Sequence, residues 1–179
     1  MDTATSSNSV ALSNNSTVVT VVVARSTSFT SDTTSFGMLM DPSIATLTDK
    51  TRAVVLTVRT NANTGYTLAT KTNQQLSDGV NTILAVPTTV STASNSFTAN
   101  HFGYAVAVAP GASSLATALG GLITSGYYAG YTLAGEDAVS STTRTNGDTI
   151  TITNRAKLDY MQVANTYTGT ITYTVTPNY

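Results

Sequence analysis

Val54–Thr70, with the sequence VVLTVRTNANTGYTLAT, predicts two β-strands joined by a turn. Val54, Leu56 and Val58 alternate with other residues, and a similar alternation resumes after Gly65. A period of two indicates half-buried strands. The Asn and Gly residues between the two halves tolerate the positive φ of a tight turn. We therefore interpret this stretch as a β-hairpin.

Other short apolar runs predict further strands along the chain. They lie at Thr17–Ala24, Gly79–Val86, Phe102–Ala109, Tyr127–Ala134 (a strand or a loop leading into one), Thr149–Thr153 and Gly169–Thr176. Asn146-Gly147-Asp148 predicts a turn before Thr149–Thr153, whose alternation is typical of an edge strand. Ala112–Gly126 has helix-like spacing, but its paired glycines predict at most a short helical turn. The pattern indicates an all-β fold, an immunoglobulin-like antiparallel β-sandwich with long loops and little helix.

Composition limits the classes of function. Charged residues make up 9% of the 179 residues, the net charge is −1, and there is no cysteine. A chain with no basic patch is a poor nucleic-acid binder, and one without cysteine has no disulfide or thiol chemistry. No apolar run reaches the roughly 20 residues needed to span a bilayer. The polar residues 1–16 predict a flexible N-terminal lead-in, and residues 17–179 predict a single domain. Met1 resembles a start residue added to a mature secreted sequence.

The run TVVTVVVA, at Thr17–Ala24, has the strongest β-propensity in the chain. Two interpretations stay open: it is the first strand of the sandwich, or it is a strand donated to a neighbouring subunit. Left uncovered, an uncharged run without proline would promote aggregation. The candidate assembly residues are Thr17, Val18, Val19, Val21, Val22 and Val23.

Tyrosines near the Gly-rich region are candidates for a contact surface. Tyrosine on an adaptable loop suits protein or glycan contact, and the alternative is that these rings cap the core. The long connections Thr88–Asn100 and Ala112–Tyr131 are the favoured contact loops, because function concentrates on loops. The candidate residues are Tyr104, Tyr127, Tyr128 and Tyr131.

The sequence contains no recognisable catalytic motif. His101 is the one histidine, and no Gly-x-Ser-x-Gly motif accompanies it, so we expect it to pack or to order a loop. No segment has the alternating oxygens of a calcium loop, although a calcium site assembled from separate loops stays open. A cross-link between a lysine (Lys50, Lys71 or Lys157) and an Asn or Asp, assisted by Glu136, also stays open. We assign no catalytic residue, metal ligand or cofactor, and a hydrolase is the weakest of the alternatives.

Three segments carry a family resemblance: Val54–Leu68, the sequence FGYAV from Phe102, and the C-terminal region that closes with GTITYTVT at Gly169–Thr176. Together they resemble immunoglobulin-like β-sandwich domains of bacterial cell-surface proteins, of the type found beside WxL domains and in adhesins. The chain has no tryptophan, so the WxL motif itself is absent. The resemblance implies an extracellular, cell-surface protein with an adhesive or structural role and a protein or glycan partner. The alternative is a subunit of a pilus, filament or shell that binds copies of itself.

Overall fold

Two β-sheets pack face to face in the computed structural model of the protein, which describes residues 20–179. The strands are β1 (Thr27–Ser31), β2 (Asp49–Thr60), β3 (Tyr66–Thr72), β4 (Leu76–Ser77), β5 (Thr82–Ala85), β6 (His101–Ala109), β7 (Thr117–Ala118), β8 (Glu136–Ser141), β9 (Thr145–Lys157) and β10 (Ile171–Pro177). Two short 3₁₀ helices lie at Ala45–Leu47 and Gly120–Ile123. The six-stranded sheet has the order β1-β2-β9-β6-β5-β4, and the four-stranded sheet has the order β10-β3-β8-β7. The predicted all-β sandwich is confirmed, with one parallel pair, β5 and β6, among antiparallel ones.

The predicted hairpin at Val54–Thr70 is wrong in its pairing, although both strands exist. β2 pairs with β1 and β9 in the larger sheet, whereas β3 pairs with β10 and β8 in the smaller one. The connection therefore crosses from one sheet to the other. Alternation puts the apolar face of each strand inward in either arrangement, so it does not distinguish a hairpin from this crossing.

The turn predicted at Asn146-Gly147-Asp148 is wrong, because these residues belong to the central strand β9. Asn146-Gly147-Asp148 lies inside β9, where Val58 pairs with Asp148 but Thr60 pairs with Thr145. Three residues of β9 thus advance against two of β2, which is a β-bulge. Gly147, with φ of 149°, permits it. Because β9 pairs with both β2 and β6, Thr149–Thr153 is also central, and the predicted edge position is wrong.

The remaining strand predictions have mixed outcomes. Phe102–Ala109 and Gly169–Thr176 correspond to β6 and β10, and Gly79–Val86 contains the shorter β5. The short helical turn within Ala112–Gly126 is confirmed as the 3₁₀ helix Gly120–Ile123. Tyr127–Ala134 forms no strand and contributes only isolated bridges, from Tyr128 to Ser94 and from Ala129 to Tyr104.

The core fills the space between the two sheets. β2 contributes Val54, Leu56 and Val58, and β9 contributes Ile150 and Ile152, all of them at most 2% exposed. Their β-branched and leucine side chains suit a pleated, buried surface. The rings of Tyr66, Tyr104 and Tyr131 lie among them.

Candidate functional site

The N-terminal segment differs from the prediction that it forms the first strand of the sandwich. Thr20–Ala24 belongs to no strand, and Val21, Val22 and Val23 are 78%, 88% and 78% exposed. The expectation of a first sandwich strand is therefore wrong for this part of the run, while Thr17, Val18 and Val19 lie outside the described residues. Three adjacent exposed valines leave a large apolar surface in water.

The segment is anchored where it enters the sandwich. Asn61 donates from Nδ2 to the carbonyl oxygen of Ala24 at 2.7 Å and accepts from the N–H of Ser26 at 2.8 Å. The guanidinium of Arg25 lies 4.9 Å from the ring centre of Tyr179, in cation–π range. The chain preceding Ala24 therefore leaves the domain at the end of the sandwich where β2 and β10 finish.

A groove of about 750 Å³ opens at one side of the sandwich. Its lining includes Val54 of β2, Phe102 of β6 and Ala156 of β9, together with Ile171 and Tyr173 of β10. Residues 33–40 and 162–170 also line it. Asp159 is the single charged residue in the lining. The groove is therefore predominantly apolar in its deep part and suited to an uncharged, apolar occupant.

The segment Phe36–Met40 lies along this groove and was not singled out by sequence reasoning. Phe36, Met38 and Met40 are half-buried against the core, whereas Gly37 and Leu39 are exposed. This is the period of a strand, yet the segment pairs with none. The apolar cluster FGMLM is the signal that could have identified it.

The candidate contact tyrosines separate into two groups. Tyr104 and Tyr131 are buried core residues, so their prediction as contact residues is wrong. Their ring centres lie 4.3 Å apart, and the Tyr131 hydroxyl donates to Oδ1 of Asn154 at 2.8 Å. Burial raises the pKa of both hydroxyls above the ordinary value of tyrosine.

Tyr127 and Tyr128 are partly exposed, but each also has a packing role. Tyr127 packs against the core. The ring of Tyr128 meets Phe97 edge to face at 5.2 Å, and the Arg155 guanidinium lies 5.1 Å from its centre. Arg155 also forms an ion pair with Asp49 at 2.6 Å, and its hydrogen bonds lower the pKa of that carboxyl.

The two candidate contact loops pack against each other. Val90, Ala93 and Phe97 of the first loop are buried, and the N–H of Gly121 donates to the Val90 carbonyl at 2.8 Å. Large apolar side chains nevertheless remain exposed on the second loop: Leu115 at 64% and Ile123 at 66%. This surface is available for contact.

The one histidine and the lysines of the described chain have ordinary structural surroundings. His101 bonds through Nδ1 to the Ala99 carbonyl at 2.7 Å and to the Thr98 hydroxyl at 3.0 Å, so it orders its own loop. Within residues 20–179, no group of three His, Asp or Glu side chains is placed to hold a metal ion. None of Lys50, Lys71 and Lys157 is buried, unlike the lysine that an internal cross-link requires.

Asp148 is the one acidic side chain that is fully buried in the described part of the chain. Its Oδ1 accepts from the N–H of Gly111 at 2.7 Å and from the Thr145 hydroxyl at 2.8 Å. Its Oδ2 accepts from the hydroxyls of Tyr66 and Ser114, both at 2.9 Å. A carboxylate has about four acceptor positions, and the protein uses all of them. Asp148 therefore joins β3, β9 and the loop after β6, and it has no lone pair left for a ligand.

We expect Asp148→Ala to lower the free energy of unfolding by about 3–5 kcal/mol, because it leaves several buried hydrogen-bond donors without an acceptor. Asp148→Asn should cost less, since the two hydroxyls on Oδ2 can rotate to accept from the new amide. Urea denaturation followed by circular dichroism measures both. The matched control is Asp137→Ala, at an exposed site on β8, which should change stability by no more than about 0.5 kcal/mol. Equal losses for Asp148→Ala and the control would contradict the role assigned to Asp148.

Comparison with models of known protein families, with curated proteins and with solved structures gave no match. Among the residues that the structure describes, no helix has the length and apolar character to cross a bilayer.

Proposed function

We propose that this protein is a non-catalytic, extracellular surface protein that acts as a structural module by binding copies of itself. The observation that carries this proposal is the exposed run Val21–Val23, which leaves an otherwise well-packed sandwich. Removing a valine side chain from water contributes about 1.5 kcal/mol or more, so covering three of them favours association. Only 9% of the residues are charged, so electrostatic repulsion between copies is weak.

The resemblance to bacterial surface domains supports the extracellular setting. A second candidate function is adhesion to a protein or glycan on another surface. The exposed Leu115 and Ile123 favour it, because apolar side chains on a long loop provide contact area. In that case the protein would remain a monomer until it met its ligand.

Light scattering coupled to size-exclusion chromatography, with electron microscopy, tests self-association. We expect the full chain to form oligomers or filaments as its concentration rises. A variant with Val21→Thr, Val22→Thr and Val23→Thr should remain monomeric at the same concentrations. Threonine keeps the shape and β-propensity of valine but replaces one methyl group with a hydroxyl.

The control is Val80→Thr, at a loop valine that is 89% exposed and belongs to no cluster of valines. It should assemble like the unmodified chain, and all variants should have the same melting temperature, since the substituted sites are exposed. A full chain that stays monomeric on concentration would overturn self-association and favour the adhesive alternative. Undiminished assembly of the triple variant would exclude the valine run as its cause.

A further inference from the structure

The groove at the side of the sandwich has an unpaired backbone on each of two sides. In the smaller sheet β10 pairs with β3 alone, so its outer edge has no partner strand among residues 20–179. The backbone of Phe36–Met40 likewise makes no hydrogen bond with any other described residue. Backbone N–H and C=O groups require partners, and an extended segment between two free edges would supply them to both.

The Thr17–Ala24 run matches the groove chemically. It has no charge, proline or glycine, while the groove has a single charged lining residue, Asp159. In an extended conformation Val19, Val21 and Val23 would share one face, because strand side chains alternate. That face consists of these three valines and Thr17, which suits the apolar deep part of the groove formed by Val54, Phe102 and Ile171.

The exposed valines Val21–Val23 do not reach Val54, in the deep part of the groove of their own chain. Ala24 is hydrogen-bonded to Asn61, which follows the end of β2. Val54, in the groove, precedes Asn61 by seven residues, or about 23 Å along a strand. Val21 is three residues from Ala24 and reaches at most about 11 Å from it.

We propose that the groove accepts Thr17–Ala24 of a second copy as an added strand between β10 and Phe36–Met40. This proposal rests on the self-association proposed above and names the surface that performs it. The donated segment leaves one end of the sandwich, near Asn61, whereas the groove lies toward the other end, near Ala156. Donor and acceptor surfaces are thus different parts of the molecule, and such head-to-tail contact produces open filaments or rings.

Cysteine cross-linking tests the proposal, because the chain has no cysteine of its own. One population carries Val22→Cys, on the face of the donated strand that would point to solvent. The second carries Thr172→Cys, Thr174→Cys or Thr176→Cys, on the exposed face of β10. After mixing, assembly and mild oxidation, we expect a disulfide-linked dimer at one or two of these positions.

The matched control is Thr117→Cys on β7, the edge strand at the opposite side of the same sheet. We expect its cross-linking yield to be about tenfold lower or less. Equal or greater yield at Thr117, or filaments without cross-links on β10, would overturn the groove as acceptor while leaving self-association intact. A full chain that never assembles would overturn both proposals. A chain carrying Val22→Cys and Thr174→Cys that cross-links as a monomer would identify its own segment as the occupant and overturn the second copy.

A groove variant provides a readout independent of cysteine. Leu39 lines the groove and is 80% exposed, so Leu39→Asp should leave the fold intact yet place a charge beside the incoming strand. We expect the concentration needed for assembly to rise by about tenfold or more. Leu133→Asp, at a 59% exposed site outside the groove lining, should leave that concentration unchanged. Equal effects of the two substitutions would count against the groove.

Discussion

Gly65→Ala is expected to lower the free energy of unfolding by about 4 kcal/mol or more, a large part of the roughly 5–15 kcal/mol that stabilises a typical domain. Gly65 lies in the connection that crosses from β2 to β3, with φ of 77°. A Cβ at this position would lie 2.0 Å from the Ser141 carbonyl oxygen and 2.9 Å from the Thr143 nitrogen. Both contacts are with backbone, which cannot rotate away as a side chain can. Urea denaturation, or loss of soluble expression, measures the effect.

Gly126→Ala separates the steric clash from the cost of positive φ. Gly126 has φ of 79°, nearly the same as Gly65, but a Cβ there would meet no atom within 4 Å. Its substitution should therefore cost only the left-handed backbone strain, about 1–2 kcal/mol. Similar losses for the two variants would show that close packing of Gly65 against Ser141 does not determine how the strands cross between sheets.

Alternation predicted which residues are buried better than it predicted which strands pair. Val54, Leu56, Val58 and Leu68 all lie in the core, as their spacing indicates. The choice between a hairpin and a crossing depends on contacts far away in sequence, such as that between Gly65 and Ser141. A window of some 17 residues holds no information about that contact, so local turn chemistry favoured the wrong pairing.

Gly147 is a single residue at which the local sequence pattern also predicted the wrong structure. Asn-Gly is a strong hairpin signal, but the same positive φ also serves a bulge in the middle of a long strand. β2, which is distant in sequence, pairs with β9 on both sides of this point, at Asp148 and at Thr145, and holds the strand extended through it. Tertiary pairing thus overrides the local preference for a turn.

The candidate site could be predicted only in part. The apolar run Thr17–Ala24 is evident from composition, and the exposed Val21–Val23 agrees with a segment awaiting a partner. The groove could not be predicted, because it depends on β10 and Phe36–Met40 being adjacent to empty space. Because tyrosine is amphipathic, the sequence left two roles open for Tyr104 and Tyr131: contact with a partner, or packing against the core. Both rings are buried, and their hydroxyls have buried partners, Thr70 and Asn154.

The buried tyrosines are expected to make the protein unfold at strongly alkaline pH. Burial is the main cause that raises the pKa of four hydroxyls above the ordinary value near 10: Tyr66, Tyr104, Tyr131 and Tyr173. Above pH 10 or so the unfolded chain loses these protons while the folded chain keeps them. Stability from this source is therefore complete below about pH 9 and falls as pH rises toward the folded pKa values, by about 1.4 kcal/mol per pH unit for each such tyrosine.

Three or four such groups would remove roughly 8 kcal/mol or more within two pH units, comparable to the whole stability of a domain. We expect cooperative unfolding between about pH 10 and pH 12, seen by circular dichroism, with tyrosinate absorbance rising in the same transition. Tyr131→Phe removes one of these protons, so its stability should fall less steeply with pH, even though it loses the hydrogen bond to Asn154 at neutral pH. Tyr160→Phe, at a site that is 75% exposed, should keep the slope of the unmodified chain. Gradual tyrosinate formation without unfolding, or the same slope for both variants, would mean that these hydroxyls ionise in the folded protein and that the core admits water.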